Sequence, residues 1–228
     1  MESFYDRTEL LLGEEKVKKL STARIAVFGV GGVGGFAFES LVRCGIKNID
    51  VFDGDTVKPS NLNRQIIATN ETLNKNKVDV AVSRAKSINP DGNFRAFNVF
   101  YSVENSNDFP LDDYDFVIDA IDSVSSKIEL IKRAKESDVE IISCMGTGGK
   151  LEPEKLTVAD IKNTEYCPLA RVVRRELKKI GIENLTVVFS PEVSVKAKDG
   201  QIPSTVFVPA VAGILLANHV VKKLLEKE

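Results

Sequence analysis

The chain alternates short apolar runs with longer stretches in which apolar residues recur at helical spacing. Such runs, bounded by glycine or polar residues, are typical of buried strands, and the stretches between them are typical of amphipathic helices. The predicted strands are 25–28, 49–52, 94–100, 116–119 and 139–144, and the predicted helices include one near Phe36 and those at 74–88 and 124–137. This alternation predicts an α/β fold with a doubly wound, mainly parallel sheet.

The pattern changes after the last of these strands. Residues 156–159 and 186–189 have the character of strands without a long crossover helix between every pair, which predicts an antiparallel C-terminal extension of the sheet. A helix that starts at Pro168 lies between them, since proline suits the first helical turn. Residues 206–225 are expected to close the chain as a core helix or a strand-to-helix segment, and residues 1–20 to form a short amphipathic helical lead-in.

A glycine-rich turn joins the first predicted strand to the first helix. Gly29, Gly31 and Gly34 have the spacing G-x-G-x-x-G, and Asp53 ends the second strand. Glycines let the backbone approach a phosphate closely, the following helix N-terminus attracts its charge, and an acidic residue about 20 positions further on suits a ribose hydroxyl. The combination predicts a Rossmann-like nucleotide-binding unit, but it does not identify the nucleotide.

Polar residues follow the second strand, at the sheet edge where α/β proteins place ligand contacts. Asn61 and Arg64, in the turn-rich stretch 54–65, are candidates for holding a polyphosphate. The alternative is that the asparagine caps a turn and the arginine lies on the surface. Lys77 lies in the first turn of the helix 74–88, where it either reaches a phosphate or faces solvent.

Two aspartates follow the fourth predicted strand. Asp119 and Asp122 are three residues apart, and two such carboxylates facing a nucleotide suit Mg²⁺, which takes few carboxylates together with phosphate oxygens. The competing interpretation is that Asp122 caps the helix beginning near Ser123. The residue types alone leave both interpretations open.

The helix that starts at Pro168 has a basic face. This face carries Arg171, Arg174, Arg175, Lys178 and Lys179. It is either a solvated helix surface or the local positive patch that an RNA phosphate backbone requires. Arg7 lies near the start of the chain, and the residue pattern alone favours a solvated surface arginine there.

Composition narrows the choice of function. The 228 residues are 43% hydrophobic and 28% charged, as in an ordinary soluble protein, and a net charge of −2 argues against general polyanion binding. Cys44, Cys144 and Cys167 form no C-x-x-C pair, and His219 is the one histidine, so a disulfide framework and a cysteine- or histidine-rich zinc site are excluded. The sequence has no signal-peptide pattern and no apolar run long enough for a bilayer, so we expect a cytoplasmic protein without membrane contact.

Together these motifs resemble the ThiF superfamily, which includes the enzymes that activate ubiquitin-like proteins. The likeness rests on the glycine turn, Asp53, Ser-Asn-Leu-Asn-Arg-Gln at 60–65, Lys77-Val78 and Asp-Ala-Ile-Asp-Ser at 119–123, and covers roughly residues 4–150. The family adenylates carboxylates with Mg-ATP. The implied ATP site consists of Gly29, Gly31, Gly32, Gly34, Asp53, Asp55, Asn61, Arg64, Gln65, Lys77 and Asp122.

The resemblance also implies individual roles. Asp53 would hold the ribose, and Asp122 would bring Mg²⁺. Asn61, Arg64 and Lys77 would bind phosphates and, together with Arg7, carry catalysis. Arg7 resembles the arginine that, in family dimers, reaches into the neighbouring subunit's site, so a homodimer is expected.

The second half indicates a branch of this superfamily. Residues 116–124, 168–179 and 187–192 resemble the tRNA threonylcarbamoyladenosine dehydratases. That branch uses ATP to activate the carboxylate on a hypermodified adenosine beside the anticodon, and the substrate's own urea-like arm then closes a ring. The expected partner is therefore tRNA, bound by the basic face. The chain is expected to be a single ThiF-type adenylating domain, with a nucleotide-binding core at 1–150 and a substrate- and tRNA-side extension at 151–228.

Departures from the pattern keep rival functions open. Cys167 stands where an acidic residue is expected before Pro-Leu-Ala, so any role for a cysteine is in doubt. A sulfur-transfer protein is left open as a further partner. One rival is an activator of a ubiquitin-like sulfur-carrier protein, although the two C-x-x-C pairs usual in those enzymes are missing. The other is an NAD-binding Rossmann protein.

Overall fold

The computed structural model describes residues 4–196 and 202–226. Its helices are α1 Asp6–Leu12, α2 Glu14–Thr22, α3 Gly34–Arg43, α4 Lys77–Ile88, α5 Val124–Glu136, α6 Pro168–Lys179 and α7 Phe207–Glu226. Its strands are β1 Arg24–Phe28, β2 Asn48–Phe52, β3 Asn93–Phe97, β4 Phe116–Asp119, β5 Glu140–Cys144, β6 Thr157–Asp160 and β7 Thr186–Phe189. Most predicted elements are present with ends shifted by a few residues.

The strands form one sheet in the order β3-β2-β1-β4-β5-β7-β6. All neighbouring pairs are parallel except β6 and β7, which are antiparallel. The predicted doubly wound sheet with an antiparallel C-terminal extension is thus confirmed. The chain leaves β1 towards β2 and returns on its other side as β4, so the loops after β1 and β4 diverge and open a crevice at the carboxyl edge.

Apolar side chains cover both faces of the sheet, since its central strands are buried on each side. One core cluster joins the sheet to α2, α3, α4 and α7, and the other joins it to α5 and α6. Helix α7 is the one described helix that is long and apolar enough to cross a membrane, but 56% of that segment is buried inside the fold. Its apolar character serves packing against α3 and the sheet.

Three predicted elements differ from the structure. The lead-in is two helices that break at Gly13, whose φ is +87°, and its residues 1–3 lie outside the described residues. The helix predicted from residue 74 begins at Lys77, because Asn74 has φ +66° and its N–H donates to the carbonyl of Val57. Strand β3 ends at Phe97, after which the N–H of Val99 donates back to the Phe97 carbonyl.

Candidate functional site

A cavity of about 980 Å³ lies at the carboxyl edge of the sheet, in the crevice between the loops after β1 and β4. Its walls come from the segments that follow β1, β2, β3, β4, β5 and β7 and from the first turns of α4, α5, α6 and α7. The residues predicted for the ATP site that line it are Gly29, Gly31, Gly32, Asp53, Asp55, Arg64, Gln65, Lys77 and Asp122.

The glycine turn packs too closely for side chains. Gly29 has φ +89°, and a Cβ there would lie 2.6 Å from the carbonyl oxygen of Ala120, in the loop after β4. Gly34 does not line the cavity; a Cβ on it would lie 1.8 Å from the Gly29 carbonyl oxygen. The two glycines therefore let the start of α3 approach β1, while Gly31 and Gly32 face the cavity.

Asp53 connects the glycine turn to the loop after β2. One carboxylate oxygen accepts a hydrogen bond of 2.7 Å from the N–H of Val30, and the other accepts one of 2.9 Å from the N–H of Asp55. Each oxygen keeps a lone pair, so the carboxylate can also accept a hydroxyl hydrogen. The backbone bonds fix its orientation at the cavity wall.

Lys77 is buried rather than solvent-facing. Its backbone N–H donates to the Asp55 carbonyl over 3.0 Å, and its Nζ donates to the Asp55 carboxylate over 3.0 Å and lies 3.8 Å from that of Asp53. Partial burial acts to raise the pKa of Asp55, but hydrogen bonds and charge from Lys77 and then Lys58 outweigh it, and the pKa lies below its usual value. Lys77 is thus held at the cavity wall by two neighbouring carboxylates.

The turn after Pro59 separates two residues that the sequence grouped together. Asn61 is buried, its Oδ1 accepts a 2.9 Å hydrogen bond from the N–H of Lys58, and it does not line the cavity. The structure thus places Asn61 in the turn-capping position. Arg64 is half-buried and lines the cavity, and its Nη1 donates to the Ser60 carbonyl over 2.7 Å.

Gln65, next to Arg64, carries an unsatisfied polar atom. The side chain is 7% exposed and lines the cavity, and its Oε1 has no hydrogen-bond partner among the described residues. Buried polar atoms are nearly always satisfied in folded proteins. This oxygen is therefore suited to accept a hydrogen bond from a bound molecule.

The two aspartates after β4 do not form a pair facing the cavity. Asp119 is fully buried; it accepts a 2.7 Å hydrogen bond from Lys127 and a 2.5 Å bond from Ser143 Oγ. The expectation that both carboxylates face a nucleotide is therefore wrong for Asp119. Asp122 is exposed at the cavity, and Ser123 occupies the N-cap position of α5.

Lys127 is a site-supporting residue that sequence reasoning missed. It shares the buried face of α5 with Leu130, Ile131 and Ala134, at the spacing i, i+3, i+4, i+7. Its Nζ also donates to the Cys144 carbonyl over 3.1 Å and so ties the end of β5 to that of β4. A lysine at the first position of an apolar helical stripe is the signal that could identify it.

Neither Arg7 nor the basic face of α6 lines the cavity. Arg7 is exposed on α1 and does not line this chain's cavity. On α6, Arg174 donates hydrogen bonds to the carbonyls of Ile161 and Thr164. The other basic residues are exposed; of these, Arg175 and Lys179 pair with Glu176, and Arg171 and Lys178 stand beside them.

Cys167 is buried and lines the cavity where α6 begins. Its Sγ accepts a 3.5 Å hydrogen bond from the N–H of Ala170 and so caps the helix. Cys144 lies in the same wall, where burial raises the pKa of its thiol to about 12. Within the described ranges, no group of three or more His, Cys, Asp and Glu side chains could hold a metal ion.

The fold and the site define an α/β nucleotide-binding protein with a glycine turn and fixed cations at one sheet edge. Residues 5–228 match the ThiF family, and the chain belongs to that family. It is 38% identical to the tRNA threonylcarbamoyladenosine dehydratase of Bacillus subtilis, over 97% of this chain and 94% of the relative. It is 31% identical to the enzyme of that name from Escherichia coli, over 96% of this chain and 92% of the relative.

Solved structures agree with this assignment. The crystal structure of the E. coli tRNA N6-threonylcarbamoyladenosine dehydratase in complex with ATP superposes with a TM-score of 0.92 at 32% identity, covering 98% of this chain and 94% of the other. The complex of the same enzyme with AMP gives a TM-score of 0.92, also at 32% identity, covering 97% and 93%. The predicted family is therefore confirmed.

Proposed function

We propose that this protein is an ATP-dependent tRNA threonylcarbamoyladenosine dehydratase, which adenylates the threonylcarbamoyl carboxylate so that it cyclises on the adenosine next to the anticodon. The observation that carries the proposal is the convergence of Lys77, Arg64, Asp53 and the glycine turn on one cavity. The relatives that span nearly the same length have this name, and the E. coli enzyme has been crystallised with ATP and with AMP.

The site residues divide the work of holding ATP. Asp53 receives the ribose, and the turn at Gly31 and Gly32 receives the phosphates with its backbone. Lys77 and Arg64 bind phosphate oxygens as cations. Asn61 contributes by fixing the turn that carries Arg64, since its side chain is committed to the N–H of Lys58.

The adenylation step depends more on positioning the substrate carboxylate and stabilising negative charge than on proton transfer. The substrate carboxylate attacks the α-phosphorus, the bond to the β-phosphate breaks, and pyrophosphate leaves. This step brings anions together, so fixed cations such as Lys77 and Arg64 stabilise the charge that builds. A carboxylate is already ionised at neutral pH, so no protein base is required for this step. The urea-like arm then attacks the activated carbonyl and AMP leaves, an intramolecular reaction that needs no enzyme thiol.

Asp122 is the residue that fits a magnesium ion bound with ATP. Mg²⁺ keeps several waters and takes one or two carboxylates plus phosphate oxygens, and Asp122 is exposed at the cavity. Asp119 does not take part because Lys127 neutralises it. Bound beside Asp122, the ion would offset part of the triphosphate charge.

We place the tRNA backbone on α6, with Arg171, Arg175, Lys178 and Lys179 as phosphate contacts. Arg174 is better described as a residue that holds the loop 161–164, because its guanidinium is committed to that backbone. A charge reversal at Arg174 is therefore expected to disturb the fold of this loop as well as RNA binding. The net charge of −2 fits a local rather than a general polyanion site.

We further propose that the protein is a cytoplasmic homodimer in which α1 lies at the interface. Leu10 and Leu11 on α1 are each 82% exposed, and an apolar patch of this kind suits burial against a second copy. Arg7 on the same helix is then positioned to reach the partner's site. Sedimentation of the wild type and of a Leu10→Lys, Leu11→Lys double variant tests this arrangement. The wild type should sediment as a dimer and the double variant as a monomer.

Mass analysis of tRNA nucleosides tests the function directly. tRNA that carries threonylcarbamoyladenosine is incubated with the protein, ATP and Mg²⁺, and the modified nucleoside should lose the mass of one water while AMP and pyrophosphate form. A parallel reaction replaces the tRNA with a carrier protein that ends in Gly-Gly. Pyrophosphate release with the carrier and none with the tRNA would contradict the proposal.

A further inference from the structure

Tyr166 has a backbone conformation that is rare for its residue type. Its φ is +54°, in the left-handed region, and its side chain is 68% exposed. Asn74 and Asp138 are the other described non-glycine residues with positive φ, and short polar residues of that kind tolerate it. A bulky aromatic residue there is strained, and such strain is maintained mainly where a function uses it.

Hydrogen bonds fix the chain on the N-terminal side of Tyr166. The Nη1 of Arg174 donates to the Ile161 carbonyl over 3.1 Å, to the Thr164 carbonyl over 2.9 Å and to Thr164 Oγ1 over 2.8 Å. The Thr164 hydroxyl in turn donates to the Ile161 carbonyl over 2.7 Å. The segment that leads into Tyr166 is thus held by α6 itself.

The chain on the C-terminal side is fixed as well. Cys167 is extended, with φ −102° and ψ 112°, as expected for a residue before proline. Its Sγ caps α6, and the helix starts at Pro168. Tyr166 therefore stands between two anchored segments and is held on the surface in advance of any binding.

Tyr166 is close in the chain both to residues that line the cavity and to the basic residues of α6. The next three residues, Cys167, Pro168 and Leu169, line the cavity, so Tyr166 lies at its rim. Exposed Arg171 and Lys178 follow on α6. An exposed aromatic ring next in the chain to the residues that line the cavity, with exposed cations on the helix that follows, has the combination that single-stranded RNA requires, a stacking surface and cations on one side of the protein.

We propose that Tyr166 is a substrate-binding residue that stacks on an unpaired base flanking the modified adenosine while that adenosine enters the cavity. The proposal rests on the proposed function, because it takes tRNA as the substrate. RNA-binding proteins read splayed-out loop bases by stacking them on aromatic side chains, and an anchored backbone reduces the entropy that Tyr166 loses on binding. The rim position assigns Tyr166 to a neighbour of the reacting nucleotide rather than to the nucleotide itself.

Substitutions at Tyr166 separate stacking from folding. Tyr166→Ala should raise the Kd for the modified tRNA roughly 5- to 150-fold, the range expected for one base stacked on an aromatic ring. Tyr166→Gly removes the ring and relieves the backbone strain, so its Tm should equal or exceed that of the wild type while its tRNA affinity falls equally. Tyr166→Phe should retain affinity, and Ile180→Ala, at an exposed apolar residue just after α6, is the matched control.

The sequence contains no tryptophan, so Tyr166→Trp places a single fluorescent reporter at the rim. Stacking predicts that modified tRNA changes the indole emission of this tryptophan, whereas ATP affinity stays at the wild-type value in every variant.

If the wild type dehydrates tRNA but Tyr166→Ala and Tyr166→Gly bind it as tightly as the wild type, this inference is wrong and the proposed function stands. If the wild type itself acts on a carrier protein and not on tRNA, both are wrong.

Discussion

Lys77 donates a 3.0 Å hydrogen bond from its Nζ to the carboxylate of Asp55. Because the carboxylate of Asp53 lies only 3.8 Å from the same ammonium, one buried cation stands between two anions. The Lys77 ammonium is thereby held in place at the cavity wall before ATP binds. A fixed charge of this kind stabilises a transition state without reorganising during the reaction.

Lys77→Ala is therefore expected to lower the rate of AMP formation by at least about 100-fold, the usual effect of removing one preorganised electrostatic contact. Single-turnover formation of AMP from ATP and modified tRNA measures it. Lys75→Ala, which removes an exposed lysine two residues earlier, is the control and should keep the wild-type rate. Equal rates for Lys77→Ala and the wild type would remove Lys77 from the site.

Two glycines of the turn should respond differently to the same methyl group. Gly34→Ala forces a Cβ against the Gly29 carbonyl, 1.8 Å away, and should cost about 1–3 kcal/mol of folding stability. A Cβ on Gly31 meets only the Gln65 amide at 3.8 Å, so Gly31→Ala should keep its Tm. Because Gly31 lines the cavity, its methyl group should raise the KM for ATP about tenfold.

Thermal melts and ATP titrations of the two variants test this contrast. A Gly31→Ala protein with a wild-type KM for ATP would mean that the phosphates lie elsewhere. A Gly34→Ala protein with a wild-type Tm would show that the turn can move away from β1, against the packing described above.

The parts of the fold that sequence predicts are those set by local pattern. The strands and the glycine turn follow from apolar runs and glycine spacing, which act within a few residues. The sequence places the start of α4 three residues too early because a distant partner, the Val57 carbonyl, receives the N–H of Asn74, whose φ is +66°. Likewise Asp119 was assigned to the cavity because nothing local to the motif indicates that Lys127 turns inward to neutralise it.

Lys127 and Asp119 form an ion pair in which both side chains are fully buried. Lys127→Met leaves the Asp119 carboxylate unpaired in the core, and a change of that kind costs about 3–5 kcal/mol of stability. Lys132→Met removes a partly exposed lysine from the same helix and should change the free energy of unfolding by no more than about 0.5 kcal/mol. Urea denaturation of the two variants measures both values.

The double variant Lys127→Met, Asp119→Asn supplies a further check. It removes both charges, so it should be more stable than Lys127→Met alone. A single Lys127→Met variant with wild-type stability would contradict the account of this ion pair as the support for the ends of β4 and β5.

His219, the single histidine, should make stability depend on pH in a direction that can be worked out. The side chain is half-buried on α7, and its ring lies 6.2 Å from the ring of Phe116. Burial lowers the pKa of His219 below 6.5, and the charge of Lys223 lowers it further. Glu140 and Glu226 have smaller, opposing effects on this pKa. The unfolded chain therefore binds its proton first as the pH falls, so His219 lowers the stability from about pH 6.5 downwards until its folded pKa is passed. His219→Gln should reduce the loss of unfolding free energy between pH 7 and about pH 5, and NMR titration of the one imidazole should give a midpoint below 6.5. A midpoint at or above 6.5, or identical pH profiles for the two proteins, would contradict this assignment.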